Sequence, residues 1–133
     1  MRVAIDIDGV LADVRMYIQQ YLMGEKKDWK AFFLLTTLFP AIKPMKELVR
    51  SLAHNHELYL VTGRPESNRE KTDWWLRAHI FAGLITPQLN YSLLMRPNGD
   101  KRSGTEIKLE WFRKVEPDLI LDDSLETVEA PQR

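Results

Sequence analysis

The sequence predicts an α/β fold, a parallel sheet of about four strands with helices on both faces. Three observations carry that prediction. Short apolar runs alternate with helix-spaced segments along the chain, the pattern of successive βαβ units. Val3-Ala4-Ile5 is apolar without interruption, as a strand covered on both faces must be. The 133 residues suffice for one domain and are too few for two ordinary ones. Residues 1–133 are therefore read as a single three-layer domain with right-handed crossovers.

The elements follow in order. After the first strand, Val14, Tyr17, Ile18, Tyr21 and Leu22 share a helical face, and Gly24 stops it. Asp13 suits an N-cap for this helix. Residues 25–28 read as a polar loop. Trp29 to Phe39 is dense in large apolar residues, with Asp28 as its N-cap and Pro40 as its end. Pro44 fits the first turn of a helix running to about His54. Glu57 to Thr62 is the second strand and leads into Gly63-Arg64-Pro65. Glu66 to Ala82 is a helix. Tyr91 to Met95 is a weaker third strand, and residues 96–100 form a loop. Glu106 to Val115 is a helix that Pro117 breaks. Leu119-Ile120-Leu121 is the fourth strand, ending in Asp122-Asp123-Ser124. A further strand would be usual after Asp123, and ten residues leave no room for it. The sheet edge is therefore expected to pair with a second copy or a partner.

Composition narrows the function classes. Apolar residues make up 44% of the chain, enough for a real core. The 19 basic and 19 acidic residues cancel, which argues against a broad basic surface wrapped around duplex DNA. The absence of cysteine excludes disulfides and thiolate zinc sites and suits a cytoplasmic protein. The N-terminus enters a strand directly, so no signal peptide is expected. No apolar run is long enough to span a membrane.

The chemistry lies at the strand ends. Asp6 and Asp8 follow the first strand, and Gly9 lets the backbone turn away. Positions i and i+2 of a strand point to one face, roughly 6.6 Å apart at about 3.3 Å per residue. Thr62 and Arg64 end the second strand, and Asp122 and Asp123 end the fourth. In a parallel sheet these carboxyl ends lie together, where open α/β sheets bind ligands. Four carboxylates in one crevice repel unless cations are present. An all-oxygen set without His or Cys suits a hard divalent ion, magnesium above all. Thr62, the Gly63 amide, Arg64 and Lys108 supply donors and positive charge for a phosphoryl group.

The ordered set Asp-x-Asp-Gly-Val-Leu-Ala-Asp, Val-Thr-Gly-Arg, Lys108 and Leu-Asp-Asp-Ser resembles the haloacid dehalogenase (HAD) superfamily of phosphatases. The resemblance covers nearly the whole chain and implies a Rossmann-like, HAD-like sheet. Residues 14–43 would then be a short helical cap inserted between the first two motifs. Arg64 and the stretch Met95 to Arg102 before Lys108 resemble, more narrowly, the 3′-phosphatase module of bacteriophage polynucleotide kinase. No Gly-x-x-x-x-Gly-Lys-Ser/Thr loop is present for the kinase half.

The resemblance implies roles. Asp6 is the nucleophile that forms an aspartyl-phosphate. Asp8 is the general acid, then the base for water, and holds its proton beside an ionised Asp6. Thr62 and Lys108 are catalytic contacts to the phosphoryl oxygens. Gly63, Arg64, Arg96 and Arg102 are substrate-binding. Magnesium is held by Asp6, the backbone carbonyl of Asp8, and Asp122, with Asp123 through water or behind it. Read alone, Lys108 is an exposed helix lysine, Arg64 a cap of the strand–helix junction, and Arg96 and Arg102 surface arginines. Trp29, Phe32 or Phe33 would stack on a nucleobase; core or dimer packing is the plainer reading and is favoured. His54, His56 and His79 have no ligand spacing.

The expected function is therefore a magnesium-dependent phosphomonoesterase acting on a nucleotide or a nucleic-acid 3′-phosphate. A 5′-nucleotidase or small-metabolite phosphatase of the same superfamily is the alternative. A receiver-type regulatory module, phosphorylated on aspartate by a partner, also needs an acidic cluster with Thr and Lys. Its motif order differs, and Asp8 would discharge its phosphoaspartate. A phosphate-binding module without turnover is the last reading.

Overall fold

The computed structural model describes residues 1–84 and 89–124. The tail beyond Ser124, on which the expectation of a missing strand rested, lies outside the described residues. Four parallel strands run in the order β3-β2-β1-β4. They are β1 (Arg2–Ile5), β2 (Glu57–Pro65), β3 (Tyr91–Arg96) and β4 (Leu119–Leu121). The Rossmann-like α/β sheet read from the sequence is the one observed. No helix among the described residues is long and apolar enough to cross a membrane.

Strand alternation sorts the side chains into two cores. Val3, Ile5, Leu58, Leu60, Leu93 and Met95 form one face. Against it lie α3 (Lys43–Leu52), α4 (Arg69–Trp75) and a π turn (Leu76–Ile80), through Val49, Trp75, Leu76 and Ile80. Ala4 and Val61 form the opposite face and meet Phe112 of α5 (Gly104–Val115). Three layers result. β4 is an edge strand with Leu119 exposed, paired among the described residues with β1 alone.

Register brings the polar strand ends to one edge. Ile5 lies level with Leu60 on one side and Leu121 on the other. The Asp6 amide extends the ladder by donating to the Leu121 carbonyl at 2.9 Å. The chain leaves β1 toward β2 and β3, then returns across the sheet to β4. β1 is therefore the switch point where α/β sheets open a crevice.

Between β1 and β2 the chain makes an excursion over α1 (Arg15–Tyr21) and α2 (Trp29–Leu34), then a 3-10 turn (Thr36–Leu38). Its two ends are tied together: the Asp13 amide donates to the Pro40 carbonyl at 2.8 Å, and Ala12 bridges Ala41. Asp28 caps α2 as expected, accepting from the Ala31 amide at 3.0 Å. The apolar run from Trp29 to Phe39 is not one helix. Thr36 Oγ1 and Asn68 Nδ2 both donate to the Phe33 carbonyl, at 3.1 and 3.0 Å. Side-chain donors that take a helix carbonyl offer the backbone an alternative to the next turn.

Other boundaries shift for similar local reasons. α5 starts at Gly104, before the expected Glu106, because Ser103 caps it and accepts from the Glu106 amide at 3.1 Å. The segment expected as one helix from Glu66 to Ala82 opens as a 3-10 turn, runs as α4 and widens into the π turn. Arg50 Nη1 closes that end, donating to the carbonyls of Ile80 and Ala82 at 2.8 and 2.7 Å. β2 runs on to Pro65, beyond the expected Thr62, with an irregularity in its pairing to β3 between Val61 and Pro65.

Trp75 is fully buried, and its Nε1 donates to the Phe39 carbonyl at 2.8 Å. It thereby fastens the excursion to the main core. Trp75→Ala should lower unfolding free energy by about 3–5 kcal/mol, the usual range for a buried Trp. Urea denaturation followed by circular dichroism checks this.

Candidate active site

A cavity of about 650 Å³ opens at the carboxyl edge of the sheet. Asp6, Asp8, Thr62, Gly63, Lys108 and Asp123 line one side of it. The helices of the excursion line the other, through Val14, Ile18, Leu22, Trp29, Phe32 and Phe33. Asp6 and Asp8 reach the cavity while Ile7 between them is buried in the core. The alternation predicted for a strand thus persists past the end of β1. Asp13 lies apart, accepting from the backbone and side chain of Arg15 at the start of α1.

Asp6, Asp122 and Asp123 bring carboxylate oxygens within 4.8 Å of one another. The Ile7 amide donates to Asp6 Oδ1 at 2.9 Å. Asp122 accepts from the Ser124 amide at 2.8 Å through Oδ1 and from Lys108 Nζ at 2.9 Å through Oδ2. Lys108 Nζ also lies 3.5 Å from Asp6 Oδ2. Gly9 makes room for the third carboxylate. Its φ is +87°, and a Cβ there would fall 1.9 Å from Asp123 Oδ2. No other residue fits that conformation and that approach.

These charges set each other's titration. Burial pushes the Asp6 carboxyl well above its ordinary value of 3.8, and Asp122, Asp8 and Asp123 push the same way, against Lys108. Burial would lower Lys108, but Asp6 and Asp122 together hold it above its usual value. Three clustered carboxylate oxygens with a burdened Asp6 are a donor set that suits a hard divalent cation. Asp123 belongs to this trio, closer in than expected. The Asp8 side chain stands outside it.

Asp8 is held by Arg64. Arg64 Nε donates to Oδ2 at 3.0 Å and Nη2 to Oδ1 at 2.6 Å, a two-pronged clamp. Arg64 is only 1% exposed and lies over the Phe39 ring, 5.6 Å from its centroid. Its Nη1 donates to Thr72 Oγ1 at 3.0 Å, and Thr72 Oγ1 donates to Asn68 Oδ1 at 2.7 Å. Asn68 in turn grips the Phe33 carbonyl. A continuous buried chain of polar contacts therefore joins the aromatic side of the cavity to Asp8.

The three arginines assigned to substrate by sequence all line the cavity, and each also has protein partners. Arg64 spends its fork on Asp8 and Thr72, because a buried guanidinium needs acceptors close by. Arg96 Nε donates to the Gly63 carbonyl at 2.8 Å, and its Nη1 to the carbonyls of Asp100 and Arg102, folding the 97–103 loop onto the end of β2. Arg102 is shared by Asp100 and Glu110. Hydrogen bonds from the Arg102 side chain and backbone hold Asp100 down to about 2, and the two carboxylates raise Arg102. Thr62, Gly63 and Lys108 share the cavity wall with these arginines, with Thr62 Oγ1 accepting from the Arg64 amide at 3.1 Å.

Sequence reasoning missed Asn68, Thr72 and Lys101. The first two had a signal: they share the inward stripe of the helical segment with Trp75 and Leu76, and polar residues on such a stripe are buried and need partners. Lys101 is exposed on the cavity rim, and nothing in its neighbourhood in sequence distinguishes it from Arg102.

No family model matches the chain, and no curated protein does. Solved structures do. A chain in the structure of the Pnkp1/Rnl/Hen1 RNA repair complex is 24% identical, with a TM-score of 0.64. The match covers 96% of this chain and 37% of that one. A second structure of the Pnkp1/Rnl/Hen1 complex gives 22% identity, a TM-score of 0.65, and coverage of 96% and 40%. The likeness is one of fold, and this chain spans well under half the length of either neighbour.

Folded protein keeps a proton on Asp6 that the unfolded chain releases near pH 3.8. That contribution to stability is complete below the unfolded value and is lost as pH rises through the folded one. In chelator, Asp6→Asn should therefore be more stable than wild type at pH 8, with the gap closing toward pH 4. Thermal denaturation across that range checks it; a mutant less stable at pH 8 would mean that attraction to Lys108 outweighs burial and repulsion.

Proposed function

We propose that this chain is a magnesium-dependent phosphomonoesterase of the haloacid dehalogenase type, acting on a nucleotide or a nucleic-acid 3′-phosphate. One observation carries the reading. Asp6, Asp123 and Lys108 line one switch-point cavity beside an Asp8 clamped by Arg64, with the buried side chain of Asp122 paired to Lys108 and clustered with Asp6 and Asp123 just behind. A structural ion-pair network needs no such opening, and a simple phosphate-binding pocket needs no clustered carboxylates. Asp6, Asp122 and Asp123 would hold the magnesium ion, with the Asp8 carbonyl as a further candidate. When bound, the ion supplies charge neutralisation that lets a dianionic phosphate approach three carboxylates.

The chain's own groups divide the rest of the chemistry. A carboxylate oxygen of Asp6 attacks phosphorus, forming the aspartyl-phosphate as the ester oxygen leaves. Asp8 gives that oxygen its proton. Each Asp8 oxygen accepts one bond from Arg64, which leaves a second lone pair on each for proton exchange. Asp8 then takes a proton from water as water attacks phosphorus, freeing Asp6 and inorganic phosphate. Thr62, the Gly63 amide and Lys108 bind the phosphoryl oxygens. Arg64, Arg96 and Arg102 line the same cavity and would bind substrate there while holding their protein partners in place.

The excursion over residues 14–43 serves as the cap. It walls one side of the cavity and leaves room for a polymer end. The fold shared with a chain of an RNA repair complex supports nucleic-acid end processing over a small-metabolite substrate. A built-in acid–base at Asp8 disfavours the receiver reading, since it would discharge the phosphoaspartate. Among the described residues β4 pairs on one side only, and its other edge would suit a partner chain or a second copy. We place the protein in the cytoplasm.

Phosphate release is expected with magnesium and lost in chelator, fastest from a 3′-phosphorylated oligonucleotide within a panel that includes nucleoside 3′- and 5′-monophosphates and an aryl phosphate. Asp6→Asn should cut kcat by at least about 10³-fold. Release that survives Asp6→Asn would sink the covalent mechanism, and a preference for 5′-mononucleotides would select the nucleotidase reading. Lys101→Ala should weaken oligonucleotide binding and lower its salt dependence by about one counterion; titrations at several salt concentrations measure this.

A further inference from the structure

The cavity has two chemically different sides, and the phosphoryl chemistry uses one. The other is aromatic. Phe32 is 3% exposed and packs on Phe39, so it belongs to the core. Trp29 lines the same cavity and is 48% exposed. Its ring stacks on Phe33, centroids 5.7 Å apart and planes 25° apart, and Phe32 meets it edge-on. Packing accounts for Phe32 and leaves half of Trp29 in the opening.

This wall is held in place. The Phe33 carbonyl is gripped by Thr36 and Asn68, and Asn68 continues through Thr72 and Arg64 to Asp8. The position of the rings is thus fixed against the group that would protonate the leaving oxygen. An occupant of the whole cavity must be dianionic at one end and flat and apolar at the other. Lys101 at the rim adds a second site of positive charge. Among phosphate esters, a nucleotide meets these demands, since every base offers a face for stacking.

We propose that Trp29, backed by Phe33, is a stacking platform for the base of the nucleotide whose phosphate lies against Asp6. The proposal rests on the phosphatase reading for the orientation of that nucleotide. It assigns substrate recognition to the excursion and chemistry to the strand ends.

Binding is measured with Asp6→Asn protein, so that turnover does not intervene. The probes are an oligonucleotide ending in a 3′-phosphorylated nucleotide and the same oligonucleotide ending in a 3′-phosphorylated abasic sugar. The base-bearing end should bind about ten-fold tighter, within the range for one base on one aromatic ring. Adding Trp29→Ala should bring that ratio to about one, and Trp29→Phe should restore most of it. A ratio that survives Trp29→Ala, or equal affinity for the two ends without it, overturns the platform. So does an alkyl phosphate that binds as tightly as the base-bearing end. Wild-type protein is then assayed on the same two ends. Equal kcat/KM for both removes the platform and leaves the phosphatase standing. Trp29-dependent binding without any phosphate release keeps the platform and removes the phosphatase.

Discussion

A buried guanidinium organises this molecule. Arg64 leaves the end of β2 with almost no contact with water, and a charge so placed must be paired. Its partners are Asp8 from the turn after β1 and Thr72 from α4, with the Phe39 ring below. One side chain therefore joins the central strands, the helix on one face of the sheet and the excursion between them. Removing it would leave Asp8 without its orienting partner and Thr72 without a donor, and the three parts would lose their common reference.

Around that clamp the carboxylates pose an electrostatic problem with a functional use. Asp6 is buried beside Asp122 and Asp123, and a single Lys108 does not compensate for all of them. Such an arrangement is poor for stability and good for binding a cation and a phosphate together. Gly9 is the local backbone concession that permits it, by letting Asp123 approach where any Cβ would collide. The arginines nearest the surface work differently. Arg96 and Arg102 shape the 97–103 loop against the end of β2 and the N-terminus of α5. They build the wall on which Gly63, Ser103 and Gly104 face the cavity.

The excursion between β1 and β2 is tied at its base and gripped at the Phe33 carbonyl. It is therefore a fixed wall continuous with the carboxylate-bearing edge of the sheet through Asn68 and Thr72. Binding energy gained on the rings would be transmitted to Asp8 by rigid packing and hydrogen bonds. That is how remote contacts contribute to placing a reacting group.

The sequence by itself determined the sheet, its parallel direction and the set of polar strand ends, because apolar period and strand-end residues are local properties. It placed Asp6, Thr62, Lys108, Asp122 and Asp123 at one edge, and Asp28 as a cap. Only the tertiary structure decided which side chains satisfy one another. A sequence shows the charge of Arg64, Arg96 and Arg102 without its neighbours, and only the fold shows the acceptors that each one also meets. Trp29 and Phe32 are both large aromatics three residues apart on the same cavity side, yet Phe32 is buried in the core and Trp29 is half exposed. The break at Leu35 depends on Asn68, distant in sequence, taking a helix carbonyl. Pairing and burial are settled by contacts between segments, and no local pattern encodes them.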